Sequence, residues 1–102
     1  MIHARKVRAE YFEALQKGNK RFELRREEEG EPAFCYGDYL ALNEWKEGGY
    51  TGRCLLFRIT YVLRDYNSCG CLNAGCVALG LQHMPLSGED LRGVMNGPLH
   101  QV

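Results

Sequence analysis

Charged side chains of both signs cluster between Gly18 and Arg26 in the sequence. Lys20 could supply a point charge to a phosphate, and Arg25 could donate a bidentate pair of hydrogen bonds to a phosphate or a guanine edge. Glu23 could accept a hydrogen bond from an amino group such as that of cytosine. Gly18 lets the backbone turn tightly and approach a ligand closely. These residue types predict an anion or nucleotide site, with the salt-bridged face of a half-exposed strand as the alternative.

A second group of candidate residues lies in and beside a glycine-rich segment, residues 46–53. Trp45 and Tyr50 could stack a base, an interaction that contributes ~1–3 kcal/mol per base, and Arg53 could pair with its phosphate. Glu44 could act as a general acid or base beside Lys20. The structural alternative is that Trp45 packs against the sheet and Tyr50 covers a hairpin.

The cysteine-rich segment offers four potential zinc ligands, Cys69, Cys71, Cys76 and His83. Structural zinc sites favour two pairs of ligands, each pair separated by two to four residues, and this spacing fits that pattern poorly. Cys76 also opens an apolar run, where a buried thiol is common. We therefore predict no metal and no cofactor. P-loop, dinucleotide-binding and nucleophile-elbow motifs do not occur in the sequence.

Overall composition limits the kinds of partner. Lys+Arg and Asp+Glu both number 13, so the formal net charge is zero. Strong non-specific binding to phosphate backbones needs a positive surplus, so any nucleic-acid binding must depend on a local cluster. The five cysteines are an odd number and no secretory signal precedes them, which favours reduced thiols in the cytoplasm. No run approaches the ~20 apolar residues of a membrane span, so no membrane partner is expected.

The elements that must position these residues begin with a short strand at residues 2–7 and a helix at residues 8–18. Tyr11, Phe12 and Leu15 recur at helical spacing and predict one apolar face, and Gly18 predicts the end of the helix. Residues 20–26 alternate in polarity, which predicts a strand with Phe22 and Leu24 toward the core and the charged residues toward solvent.

Further strands are expected at residues 39–45, 54–64 and 76–81, with a hairpin between the first two. Residues 27–31 and 65–75 predict exposed loops. Strand, helix and then closely spaced strands indicate an α+β domain whose strands curl into a small barrel. We assign residues 1–82 to this domain and 83–102 to a C-terminal tail, in which Ser87-Gly-Glu-Asp90 resembles a helix start ahead of Leu91, Val94 and Met95.

The segment from Gly18 to Arg25 also matches the signature G-x-K-x-x-E-x-R at all four specified positions. On this motif and its surroundings the chain resembles the ASCH family of the PUA-like superfamily, in particular a small uncharacterised bacterial and phage branch. The supporting segments are Glu10-Tyr11-Phe12, Gly37-Asp38, Glu44-Trp45, Tyr50-Thr-Gly-Arg53 and Val77 to Leu81.

The resemblance implies a PUA-like β-barrel of five to six strands, with the signature residues lining a cleft beside the first helix and RNA or a nucleotide as the ligand. Some small members of the family remove acyl groups from modified cytidine, using the signature Lys and a Thr three residues later; this chain has Glu23 at that position. The expectation is therefore an RNA- or nucleotide-binding module. The alternative is a small hydrolase of modified nucleosides that uses Lys20 with Glu23 or Glu44.

Overall fold

Five strands and one helix make up the ordered architecture of the computed structural model, which describes residues 1–85. The helix expected after Ser87 lies outside the described residues. The elements are β1 (Ile2–Arg8), α1 (Ala9–Gln16), β2 (Phe22–Arg26), β3 (Tyr39–Lys46), β4 (Gly49–Arg64) and β5 (Cys76–Met84), with a short 3-10 turn at Asp65–Asn67. Within residues 1–85, no helix has the length and apolar character needed to cross a bilayer.

The strands form one mixed sheet in the order β1-β3-β4-β5-β2. β1 runs parallel to β3, and the other neighbouring strands are antiparallel. The sheet curls into a half-barrel with α1 against it, which confirms the α+β prediction. β1 and β2 are the two edges of this half-barrel, and we call the gap between these edges the seam.

The predicted hairpin joins β3 and β4 through a two-residue turn. Glu47 and Gly48 have φ values of 53° and 82°, the left-handed pair that matches the twist of the flanking strands. β4 is the longest strand, as predicted, and a bulge between Ile59 and Tyr61 shifts its register with β5. Upstream of the bulge, Leu55 and Phe57 alternate into the core.

Helix α1 buries Phe12 and Leu15 against the inner face of the sheet, whereas Tyr11 is exposed beside the seam. Two of the three predicted apolar positions therefore belong to the core. The main core cluster consists of Val7, Phe12, Leu15, Phe34, Leu40, Leu42, Leu55, Phe57, Ile59, Val77, Leu79 and Leu81. A second, smaller cluster consists of Ile2, Ala41 and Leu56.

The prediction for the faces of β2 is wrong. Glu23 is only 4% exposed, whereas Phe22 and Leu24 are 49% and 58% exposed. Glu23 pairs with Leu79 of β5, whose side chain is in the core, so both point inward. Alternation in a strand identifies two faces but not which one is buried, and a shift of one residue exchanges them. Here the inward carboxylate is tolerated because cationic side chains satisfy it.

Part of the acidic loop is also less exposed than predicted. Glu27 accepts hydrogen bonds from the backbone N–H of Phe34, at 3.0 Å, and from the guanidinium of Arg64, at 3.0 and 3.1 Å. Arg64 also donates to the carbonyl of Phe34 at 2.8 Å. These contacts hold the loop over the core, where the Phe34 ring is buried. Residues 28–31 are exposed, as predicted.

Candidate nucleotide-binding cleft

A cleft of about 800 Å³ opens at the seam, with β1 on one side, β2 on the other and α1 at its end. We call it the seam cleft. Arg25 donates a hydrogen bond of 2.8 Å from Nη2 to the backbone carbonyl of Lys6, so one side chain reaches across from β2 to β1. The two sheet edges therefore approach each other closely at one point and leave the cleft beside it.

Four of the predicted site residues line this cleft, namely Lys20, Glu23, Arg25 and Trp45, and the first three contact one another. Lys20 donates from Nζ to Oε1 of Glu23, and Arg25 donates from Nε to Oε2 of Glu23 at 2.9 Å. Gly18 does not line the cleft. It ends α1 with a φ of 79°, and the amide of Lys20 then donates to the carbonyl of Ala14 at 3.1 Å. The role of Gly18 is thus to turn the chain so that Lys20 can face the seam.

The charge on the cleft lining is unbalanced. The lining contains four cationic side chains and one carboxylate, Glu23, a surplus of three positive charges in a chain whose formal net charge is zero. The cations are Lys6, Arg8, Lys20 and Arg25. Arg8 forms an ion pair with Glu10, but both side chains are exposed and the atoms are 3.9 Å apart, so this pair neutralises little.

The aromatic rings of the cleft differ in how open they are. Trp45 lines the cleft, but Nζ of Lys6 lies 4.3 Å from the centre of its ring and Tyr50 packs edge-on at 4.9 Å. Tyr50 itself is exposed on the hairpin and outside the cleft lining. Tyr11 and Phe22 are more open, and Nζ of Lys20 lies 4.8 Å and 5.4 Å from their ring centres.

Sequence reasoning did not assign Lys6, Tyr11 or Phe22 to the site. Phe22 was assigned to the core because the alternation of β2 does not show which of its two faces points inward. Lys6 joins the cleft because β1 is an edge strand, and that placement depends on its parallel pairing with β3. Tyr11 lies on the predicted apolar face of α1, and helical spacing does not distinguish it from the buried Phe12 and Leu15.

The remaining predicted residues, Glu44 and Arg53, form a second cluster that does not line the seam cleft. Arg53 donates to both carboxylate oxygens of Glu44, at 2.9 and 2.7 Å, and Thr51 donates to Glu44 at 2.6 Å. Arg53 also donates to Glu13 of α1 and lies over the Phe12 ring, 4.6 Å from its centre. We call this set the hairpin cluster: Glu13, Glu44, Thr51 and Arg53.

Hydrogen bonds from Arg53 and Thr51 lower the pKa of Glu44 from 4.5 to about 2. The same contact with Glu44, followed by that with Glu13, raises the pKa of Arg53. Glu44 is therefore a fixed anion whose hydrogen bonds fasten the hairpin to α1. Glu44 was expected beside Lys20, but its hydrogen bonds come from Thr51 and Arg53, whereas Lys20 donates to Glu23.

The four candidate metal ligands lie in different environments. Cys69 and Cys71 are exposed, Cys76 is half-buried at the start of β5, and the ring of His83 packs against Phe57 with centres 5.3 Å apart. Within the described part of the chain, no group of three or more His, Cys, Asp or Glu side chains is arranged to hold a metal ion.

Comparison with known proteins places this architecture in a family. A segment that covers 64% of the chain aligns over 71 residues, at 41% identity, with an uncharacterised 12.9 kDa protein in the GpA 3′ region of Escherichia phage P2. The segment spans 62% of that protein, so the chain covers less than two thirds of its relative. Residues 2–81 match the sequence model of DUF3850, a domain of unknown function. Because this match includes all of β1 to β4 and most of β5, the chain belongs to the DUF3850 family.

Proposed function

We propose that the chain is a PUA-like module that binds RNA or a nucleotide in the seam cleft. The observation that carries this proposal is the surplus of positive charge on the cleft lining, beside two open aromatic rings, in a chain without net charge. A structural ion-pair network would need only enough cations to neutralise Glu23. A surplus facing open space suits a polyanionic ligand.

Each part of a nucleotide has a matching group in the cleft. Lys20 and Arg25 can bind phosphate while they remain in contact with Glu23, because both have donor hydrogens that Glu23 does not use. The open faces of Tyr11 and Phe22 can stack a base. Each oxygen of Glu23 has two lone pairs, so Oε1 can accept from a base amino group in addition to Lys20.

The dimensions of the cleft restrict the ligand further. A volume of about 800 Å³ lies within the ~300–1,000 Å³ typical of small-molecule sites. This volume accommodates a nucleotide or a short single-stranded segment. A double helix would instead need a long basic surface, whereas the four cations of the seam cleft surround a single cavity. Single-stranded RNA or a free nucleotide is therefore the proposed ligand class.

A fluorescence anisotropy titration tests this proposal with a labelled single-stranded RNA of mixed sequence at several salt concentrations. The affinity should fall with salt, with a slope of about −0.7 for each phosphate that the protein contacts. Lys20→Ala and Arg25→Ala should each weaken binding by roughly tenfold, the scale of one charge-assisted hydrogen bond.

Arg21→Ala is the matched control, because Arg21 lies in the same segment but donates to the carbonyl of Gly18 outside the cleft lining. It should bind like the parent protein. Absence of binding at low salt would overturn the proposal, as would equal losses in the control and the two site variants.

A small hydrolase of modified nucleosides is the second candidate, supported by the contact between Lys20 and the buried carboxylate of Glu23 in the cleft. A carboxylate can act as a general base toward water, and Glu23 lines the cleft whereas Glu44 does not. Incubation with acylated cytidine tests this candidate. Product that disappears in Glu23→Gln would support it, and no product at high protein concentration would remove that substrate class.

A further inference from the structure

An exposed apolar row crosses the outer face of the sheet next to the seam cleft. Phe22 of β2 pairs with Gly80 of β5, and Gly80 pairs with Tyr61 of β4. Tyr61 is 65% exposed. Because these three positions are directly opposite one another on adjacent strands, the side chains of Phe22 and Tyr61 lie on the same outer face, on either side of Gly80.

The centre of the row, at Gly80, carries no large side chain of its own between the two aromatic residues. With about 4.8 Å between neighbouring strands, the backbones that carry Phe22 and Tyr61 lie roughly 10 Å apart. Gly80 between them has no side chain, and a Cβ there would approach Oγ1 of Thr60 to 2.9 Å. The bulge of β4 thus explains the glycine structurally. At the surface, the hydroxyl of Thr60 therefore occupies part of the space above Gly80, between the two aromatic positions.

The charge of this face also suits an anionic partner. β4 and β5 contain no Asp or Glu, and the one carboxylate of β2, Glu23, points inward. Arg26 and Arg58 are the basic residues that the pairing places on the same outer face. An extended phosphate backbone could therefore cross these strands without meeting a strand-borne negative charge.

We infer that the ligand surface continues from the seam cleft, over Phe22, to Tyr61, and that the ligand is a single-stranded RNA segment of several nucleotides rather than a free nucleotide. This inference rests on the function proposed above. Phe22 connects the two regions because it lines the cleft and also begins the outer row. Single-stranded RNA commonly stacks successive unpaired bases on aromatic side chains of a sheet.

The test compares a ribonucleoside monophosphate with a single-stranded hexanucleotide, using calorimetry on the parent protein, Tyr61→Ala and Tyr66→Ala. Tyr66 is an exposed tyrosine of the 3-10 turn outside the row, so it is the matched control. The hexanucleotide should bind the parent more tightly than the monophosphate. Tyr61→Ala should weaken the hexanucleotide by about tenfold and leave the monophosphate unchanged, and Tyr61→Phe should restore the affinity.

The outcomes separate this inference from the proposal on which it rests. If both ligands bind equally and Lys20→Ala weakens both, the seam cleft is a nucleotide site and the extended surface is wrong. If neither ligand binds, both ideas fail. If Tyr61→Ala changes self-association in sedimentation but not RNA affinity, the row is a protein interface and the inference is overturned.

Discussion

Glu23 in the seam cleft and Glu44 in the hairpin cluster are both buried carboxylates that accept hydrogen bonds from an arginine. Their side chains have nearly the same exposure, with residue values of 4% and 3%. They differ in the balance of charge around them. Cations outnumber carboxylates on the cleft lining, whereas two carboxylates share one arginine in the hairpin cluster.

The comparison shows that residue types alone do not identify a binding site. A buried carboxylate needs partners wherever it lies, because an unpaired buried charge is strongly unfavourable. The hairpin cluster meets that need and leaves no cation unneutralised. The cleft meets it and has positive charge left over beside open space. We therefore propose a structural role for the hairpin cluster and a ligand-binding role for the cleft.

Removal of Arg53 should produce the largest change in stability. Arg53→Ala removes both hydrogen bonds to Glu44 and the stacking on Phe12, so an uncompensated carboxylate remains in a buried position. We expect the thermal midpoint of this variant to fall further than that of any variant in the seam cleft. RNA affinity, measured below that midpoint, should match the parent protein.

Arg53→Lys is the informative companion variant. It retains the positive charge but loses the bidentate geometry, so its midpoint should lie between those of the parent and Arg53→Ala. A stable Arg53→Ala with weakened RNA binding would reverse the roles that we assign to the two regions.

Neutralising each glutamate should affect RNA binding differently. Glu23→Gln removes a negative charge beside Lys20 and Arg25 but keeps an oxygen that can accept from a base amino group, so RNA affinity should rise by roughly fivefold at low salt. Glu44→Gln should leave RNA affinity unchanged. Anisotropy titrations of both variants under identical salt conditions measure the difference, and equal effects would contradict the distinction between the clusters.

Acidification should weaken the hairpin cluster. The pKa of Glu44 is lowered from 4.5 to about 2 in the folded protein, so its contribution to stability is complete above about 4.5 and is lost as the pH falls toward 2. The thermal midpoint of Glu44→Gln should therefore depend less on pH across this window than that of the parent. Parallel curves for the two proteins would show that the pairing with Arg53 contributes nothing to acid stability.

Arg8 should give the smallest effect in the cleft. Its side chain is largely exposed at the rim, so its interaction with phosphate is screened by solvent and salt. Arg8→Ala should weaken RNA binding by about twofold at low salt and reduce the magnitude of the salt slope by up to ~0.7. A tenfold loss would mean that the rim, rather than Lys20 and Arg25, dominates binding.

The elements of the fold were predictable where they depend on local patterns. The apolar spacing of α1, the glycine-rich hairpin and the β-branched and aromatic residues of β4 each specify their own conformation. Which face of β2 is buried was not predictable in this way. Its orientation depends on pairing with β5, which begins fifty residues after β2 ends.

The candidate site was predictable as a motif but not as a surface. Lys20, Glu23 and Arg25 are close in sequence, so their meeting follows from one turn and one strand. The addition of Lys6 and the separation of Arg53 depend on which strands become edges and on how α1 packs over the hairpin. Such non-local contacts leave no periodic signal in a single sequence.

The most direct test of the division between the two regions is an amide NMR titration with a short single-stranded RNA of mixed sequence at low salt. We predict chemical-shift changes at residues 6–8 and 20–25, with little change at Glu44 and Arg53. Changes centred on the hairpin cluster, or no changes at any RNA concentration, would contradict the assignment of the seam cleft as the binding site.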